Sequence, residues 1–192
     1  MGIAPYGTWG EEWETLLIRG GTTSVGLTAA ILAKHAGLHV LATSRREDRR
    51  DILLKNGADE VFIDGGEIAA AVRVAHPDGI QRVLELVGTT TLLDSLQCAA
   101  MGGSVCMTGM VGNAWELERF SPMGAIPTAV NLTTYAGGAE DFLSTPLQQV
   151  VDAVETGAFT PPIGKTFVID DIVEAHRAME ENSAGGKIVV TT

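Results

Sequence analysis

Leu16-Leu17-Ile18-Arg19-Gly20-Gly21-Thr22-Thr23-Ser24-Val25-Gly26 carries an apolar strand into a tight turn of small residues and straight on into a helix. A strand–turn–helix of this kind presents helix N-terminal N–H groups to a phosphate, the arrangement that cradles the pyrophosphate of a dinucleotide. In that role the backbone N–H groups of Thr23, Ser24 and Val25 face the pyrophosphate, Gly26 permits close helix–strand packing, and Gly20 and Thr22 join them as cofactor-binding residues. The next strand ends in Thr43-Ser44-Arg45-Arg46, without the carboxylate that would hold a ribose 2′-hydroxyl. Guanidiniums stand there instead, suited to a 2′-phosphate, so the pair of sites reads as NADP(H) rather than NAD.

Outward from the turn, short β-branched runs alternate with helical spacing. Strands are expected at Thr15–Arg19, His39–Thr43, Glu60–Ile63, Arg82–Val87, Ser104–Thr108 and residues 128–136. Between them lie a helix ending at Gly37, a basic helix from Arg46 to Asn56-Gly57, a helical stretch over 67–75, and a helix capped by Thr90 that closes at Gly102-Gly103. Six strands with helical crossovers imply an α/β fold: a doubly wound parallel Rossmann sheet with helices on both faces and ligand at the switch between the first and fourth strands. Further on, Thr145 and Pro146 open a helix ending at Gly157. A strand near Thr166–Ile169, a helix capped by Asp171 with Glu174 three residues on and running to Asn182, and a strand over Lys187–Thr191 form a C-terminal strand–helix–strand extension. The organisation expected is a lead-in over 1–14, a cofactor domain over 15–163 and an extension over 164–192.

Composition narrows the function classes. The 192 residues are 45% hydrophobic and 19% charged, with 23 glycines, as suits a compact α/β domain. A net charge of −11 argues against nucleic-acid or anionic-membrane partners and requires a local basic patch for an anionic cofactor, which Arg45, Arg46, Arg49 and Arg50 supply. Cations are unfavourable at a helix N-terminus, so arginines placed there ask for a reason. Cys98 and Cys106 belong to no disulfide or zinc pattern and read as small buried hydrophobes. His35, His39, His76 and His176 lie on separate elements without spaced partners, and no metal or catalytic role is expected for them. Met1-Gly2-Ile3-Ala4-Pro5 has no signal-peptide character and no run approaches a membrane span, so a cytoplasmic location is expected.

The ordered series Leu17-Ile18-Arg19-Gly20-Gly21-Thr22-Thr23-Ser24-Val25-Gly26, Asn56-Gly57-Ala58-Asp59, Leu86-Val87-Gly88, Ala175-His176-Arg177-Ala178-Met179-Glu180 and Gly186-Lys187-Ile188-Val189-Val190 resembles the medium-chain dehydrogenase/reductases, specifically their zinc-free quinone-oxidoreductase branch. The resemblance spans residues 15–191 and implies hydride transfer from NADPH to a quinone or enone. It assigns Ser44, Arg45 and Arg49 to the adenosine 2′-phosphate, leaving Arg46 and Arg50 to solvent. Gly88, Gly109, Met110 and Val111 fall beside the nicotinamide riboside. Thr23 occupies the middle glycine of the fingerprint, where its hydroxyl could donate to a phosphate oxygen, and Asp64 stands where relatives often present a tyrosine. Family members also carry a GroES-like barrel that supplies most of the substrate pocket, so a truncated chain that binds cofactor without efficient turnover is expected. Segment 164–192 would normally pack on that barrel. The edge strand near 128–136 would pair with a two-fold mate in a homodimer. The rival reading is a non-enzymatic NADPH-sensing or interaction module. A methyltransferase is disfavoured by Arg45.

Overall fold

The computed structural model describes residues 14–181 and 183–192. The lead-in expected over 1–14 lies outside them except for Glu14, as does the expected helix end at Asn182. Six parallel strands form one sheet: β1 (Thr15–Arg19), β2 (His39–Ser44), β3 (Glu60–Ile63), β4 (Ile80–Glu85), β5 (Ala99–Met107) and β6 (Asn131–Thr134), in the order β3-β2-β1-β4-β5-β6. The order reverses between β1 and β4, which is the switch point where α/β sheets bind ligands. The doubly wound fold is as expected.

Alternation along the strands explains why both faces are covered. Leu17 stands opposite Leu41 and Val83, and Val83 opposite Val105. These four share a core with Ile68 and Val72 of α3 (Ala69–Ala75) and its approach, and with Leu92 and Leu96 of α4 (Thr89–Cys98). Their chain neighbours point the other way. Ile18 and Val40 pack with Ala30 of α1 (Ser24–His35), and Ala42 packs with Leu27 and with Leu53 of α2 (Arg50–Lys55). With both faces buried, the central strands β1 and β2 are largely apolar along their length.

Several local expectations are corrected. Gly102-Gly103 does not end α4. That helix stops at Cys98, and the glycines form an irregularity inside β5, where pairing jumps from Ile80↔Ala99 to Arg82↔Ser104. A Cβ on Gly103 would lie 3.0 Å from the carbonyl oxygens of Ile80 and Gln81, so the backbones approach too closely for a side chain. The N-cap of α4 is Gly88 at φ 105°, not Thr90, which lies within the helix. The basic helix from Arg46 is a 3-10 turn (Glu47–Arg49) followed by α2.

Short helices α5 (Pro122–Ala125) and α6 (Ala139–Ser144) flank β6 and were not anticipated. The Thr145 hydroxyl turns back to donate to the carbonyl of Asp141, so Pro146 rather than Thr145 is the N-cap of α7 (Leu147–Glu155). The last three elements, β7 (Ile163–Val168), α8 (Ile172–Glu180) and β8 (Lys187–Thr191), form a separate two-stranded parallel unit. Asp171 is the N-cap of α8 as expected, but its side chain makes no cap hydrogen bond, and Glu174 pairs with Arg177. His176 on α8 is exposed.

Candidate functional site

The first turn is held by its own hydrogen bonds. Gly20 takes φ +83° and donates its N–H to Thr43 Oγ1 (3.0 Å), while Gly21 N–H donates to the Thr43 carbonyl (3.1 Å). These bonds pin the end of β1 to the end of β2. Thr23 is the N-cap of α1. Its hydroxyl donates to the Gly20 carbonyl (2.9 Å) and accepts from Gly26 N–H (2.9 Å), and its own N–H donates to the Gly20 carbonyl (3.1 Å). This corrects two expectations: neither the hydroxyl nor the N–H of Thr23 points at a phosphate, because both close the turn.

Ser24 and Val25 are the first two residues of the helix, and their N–H groups have no acceptor among the described residues. They are the donors that a helix N-terminus leaves for an anion. Val25 is 55% exposed there. At Gly26 a Cβ would sit 2.7 Å from the carbonyl oxygens of both Gly20 and Gly21, so only glycine lets α1 lie this close to the turn.

Beyond β2, Ser44 is buried and its hydroxyl closes a local turn, donating to the Arg46 carbonyl (2.9 Å) and accepting from Arg46 N–H (3.1 Å). The four arginines then separate by partner. Arg46 pairs with Asp48, while Arg50 binds Glu47 (2.6 Å) and the Val61 carbonyl (3.1 Å). Arg45 and Arg49 form no side-chain hydrogen bond or ion pair with another described residue. Two guanidiniums are thus neutralised locally and two stay available beside the turn.

On the other side of the switch point, Gly88, Gly109, Met110 and Val111 come together. Gly109 N–H donates to the Glu85 carbonyl (3.2 Å) and Val111 N–H to the Leu86 carbonyl (3.3 Å). A Cβ on Gly88 would meet Gly109 O and Met110 Sδ at 3.0 Å, and one on Gly20 would meet Leu86 Cβ and Val87 Cγ2 at 3.3 Å. The three segments therefore make one continuous rim at the C-terminal ends of β2, β1, β4 and β5. The backbone donors of Gly109 and Val111 are already used within it.

Beneath the rim lies a buried polar network that sequence reasoning passed over. Arg19, fully buried at the end of β1, binds both oxygens of Asp64 (2.8 and 2.9 Å), then Asp94 (2.5 Å), the Gly66 carbonyl (2.8 Å) and Ser95 Oγ (3.2 Å). Asp94 also accepts the N–H groups of Ile68 (2.8 Å) and Ala69 (3.1 Å). Glu85 stands opposite Arg19 across the sheet and accepts from Val87 N–H (2.7 Å), Gly88 N–H (3.0 Å) and the Ser95 hydroxyl.

Burial alone would raise the Asp64 carboxyl, but Arg19 and the Gly66 N–H hold it below the usual carboxylate range. Asp64 is therefore committed to Arg19 rather than turned toward a ligand. The only sequence signal was the residue types themselves: a charged residue at the end of each of two apolar strands, Arg19 and Glu85. The two cysteines carry no reactive character: burial pushes the Cys98 thiol up to about 12 and raises Cys106 as well.

His39 and His76, expected to stand apart, meet at Glu60 on the opposite edge of the sheet. His39 Nε2 lies 2.6 Å, and His76 Nε2 3.1 Å, from the same carboxylate oxygen.

Among known proteins, a family model described as zinc-binding dehydrogenase matches residues 56–190. A quinone oxidoreductase of Pongo abelii is 28% identical over 184 residues, covering 92% of this chain and 54% of that protein. The chain thus spans about half the length of such relatives. The structure of a mycobacterial protein complexed with NADPH superposes with a TM-score of 0.78 at 26% identity, covering 93% of this chain and 56% of the other. A Pseudomonas syringae quinone oxidoreductase shares the fold, with a TM-score of 0.82 at 19% identity over 96% of this chain and 58% of its own.

Proposed function

The chain belongs to the zinc-binding dehydrogenase family, and from that premise we propose that residues 15–163 form the NADP(H)-binding domain of an oxidoreductase acting on a quinone or enone-type substrate. The observation that carries the reading is the division of labour among four neighbouring arginines, which leaves Arg45 and Arg49 uncommitted just past the end of β2, the strand end pinned to the turn that carries the unsatisfied N–H groups of Ser24 and Val25. The donor set fits a phosphorylated dinucleotide: two N–H groups and the positive end of α1 for the pyrophosphate, and two guanidiniums for the 2′-phosphate. Ser44 joins them if its hydroxyl leaves its local turn.

When bound, the cofactor supplies hydride for delivery to an electron-poor carbon. The protein's part is positioning. The buried Arg19–Asp64–Asp94 network ties the ends of β1 and β3 to the middle of α4, and the Glu85 carboxylate draws Val87 and Gly88 N–H groups inward, fixing the rim on the nicotinamide side. Exposed Val25 offers an apolar surface for the dinucleotide to cover. No helix of the described residues is long and apolar enough to cross a membrane. The open edge of β6 supports a homodimer in which two sheets join.

Calorimetric titration with NADPH and NADH tests the reading. NADPH is expected to bind more tightly. Arg45→Ala and Arg49→Ala should each weaken it about tenfold, the worth of roughly one charge-assisted hydrogen bond, while leaving NADH unchanged. Equal affinity for the two nucleotides, or equal loss of both in the variants, would overturn the 2′-phosphate assignment.

A further inference from the structure

We propose that His39, Glu60 and His76 form a binding site for a divalent transition-metal ion of the zinc class. The three residues are far apart in sequence and meet through the fold: His39 opens β2, Glu60 opens the adjacent β3, and His76 is the C-cap of α3. Both Nε2 atoms converge on Glu60 Oε1, at 2.6 and 3.1 Å, and a donor atom from each of the three residues lies within 4.8 Å of the others. The rings are 6.0 Å apart and tilted by 50°, so they point at the carboxylate rather than stack.

Tetrahedral zinc with bonds of about 2.0–2.1 Å spaces neighbouring ligand atoms by about 3.3–3.4 Å. The His76 contact is already close to that spacing, and the His39 contact needs to open by less than about 1 Å. The side chains are 37%, 34% and 20% exposed for His39, Glu60 and His76, which leaves an entry path and room for water in the fourth position.

A further feature suits a cation: Asp59 Oδ2, held by Val40 N–H at 2.9 Å, lies 3.7 Å from His39 Nδ1 and places a second carboxylate near the cluster. Two imidazoles with one carboxylate select zinc-like ions over magnesium or calcium, which prefer all-oxygen shells. The site lies at the N-terminal edge of the sheet, about 16 Å along β2 from Ser44, so it takes no part at the cofactor rim. Its effect is to clip β2, β3 and the end of α3 together. The inference stands independently of the NADP(H) reading.

The test uses the full chain, free of affinity tags and stripped with chelator, titrated calorimetrically with zinc chloride and melted with and without it, magnesium serving as control. One equivalent of zinc should bind, and it should raise the melting temperature where magnesium does not. His39→Gln and His76→Gln should each weaken zinc at least tenfold and abolish the shift, while His176→Gln changes neither. In the unsubstituted protein, the imidazole NMR resonances of His39 and His76 should move on adding zinc, a readout that does not depend on the variants folding. Absence of binding at micromolar zinc, binding undiminished in both variants, or zinc binding that leaves those two imidazoles unmoved would overturn the proposal.

Discussion

At the scale of single residues, Arg19 has the largest structural consequence. Its guanidinium is fully buried and serves Asp64 and Asp94 at once. Burying it is tolerable only because every strong donor direction has a partner, and removing it strands two carboxylates. Arg19→Met should therefore destabilise the fold by about 3–5 kcal/mol, read as a lower urea midpoint, whereas a solvent-facing Arg46→Met should change it by less than about 0.5 kcal/mol. Asp64 adds a pH signature. Its carboxyl is held below its unfolded value, so the stability it brings is fully present above about pH 4 and is lost as pH falls through the depressed folded value. The difference in urea midpoint between the native protein and Asp64→Asn should accordingly be constant near neutrality and close in acid. A difference that widened in acid would show that the pair does not depress Asp64. Arg19 was visible in the sequence only as part of a motif; its partners, 45 and 75 residues away, were not.

Among the elements, α1 and its turn decide the site. Thr23 satisfies Gly26 N–H through its hydroxyl and thereby spares Ser24 and Val25 for an anion. Thr23→Ala should cost about 1 kcal/mol in thermal or urea unfolding, the usual worth of a threonine cap, and should weaken NADPH because the freed turn no longer holds its shape. A glycine in its place would remove that cap as well, so the departure from the common fingerprint has a structural purpose. The helices show where local reading stops. Asn56-Gly57 ends α2 as expected, since both chemistry and chain direction agree there. Gly102-Gly103 carries the same local signal yet lies within β5, because the close carbonyls of Ile80 and Gln81 belong to a different strand. The cap positions of α4 and α7 differ for a similar reason: Thr90 and Thr145 each have the right chemistry, but neighbouring contacts decide where the helix begins, whereas α8 does take Asp171 as its N-cap.

For the whole molecule, the sheet has one edge at β3 and the other at β6. Tyr135 N–H donates to the Met107 carbonyl, so by strand alternation the N–H of Thr134 points to the open side of β6. If two copies join there, Thr134→Pro removes an outward donor without touching the ladder to β5. The variant should sediment as a monomer and still melt cooperatively, and a dimer that persisted would place the interface elsewhere. The β7–α8–β8 unit is paired within itself and leaves Ile163, Val168, Ile169 and Val173 exposed. The chain's net charge of −11 leaves Arg45 and Arg49 as a local exception, which is why NADPH affinity should fall steeply with added salt.

The sequence by itself determined the order of the six sheet strands and of the helices that cross over between the first five, the doubly wound class and the glycine turn after β1, because each rests on information within a few residues: apolar runs, a small-residue turn and helix-ending glycines. It also identified the basic cluster after β2. Which of its arginines stay uncommitted was decided by tertiary structure, through Asp48, Glu47 and the Val61 carbonyl. The buried Arg19 network and the meeting of His39 with His76 at Glu60 also belong to tertiary structure. Their partners come from separate strands and helices, and only the parallel register of the sheet brings such distant side chains within bonding distance.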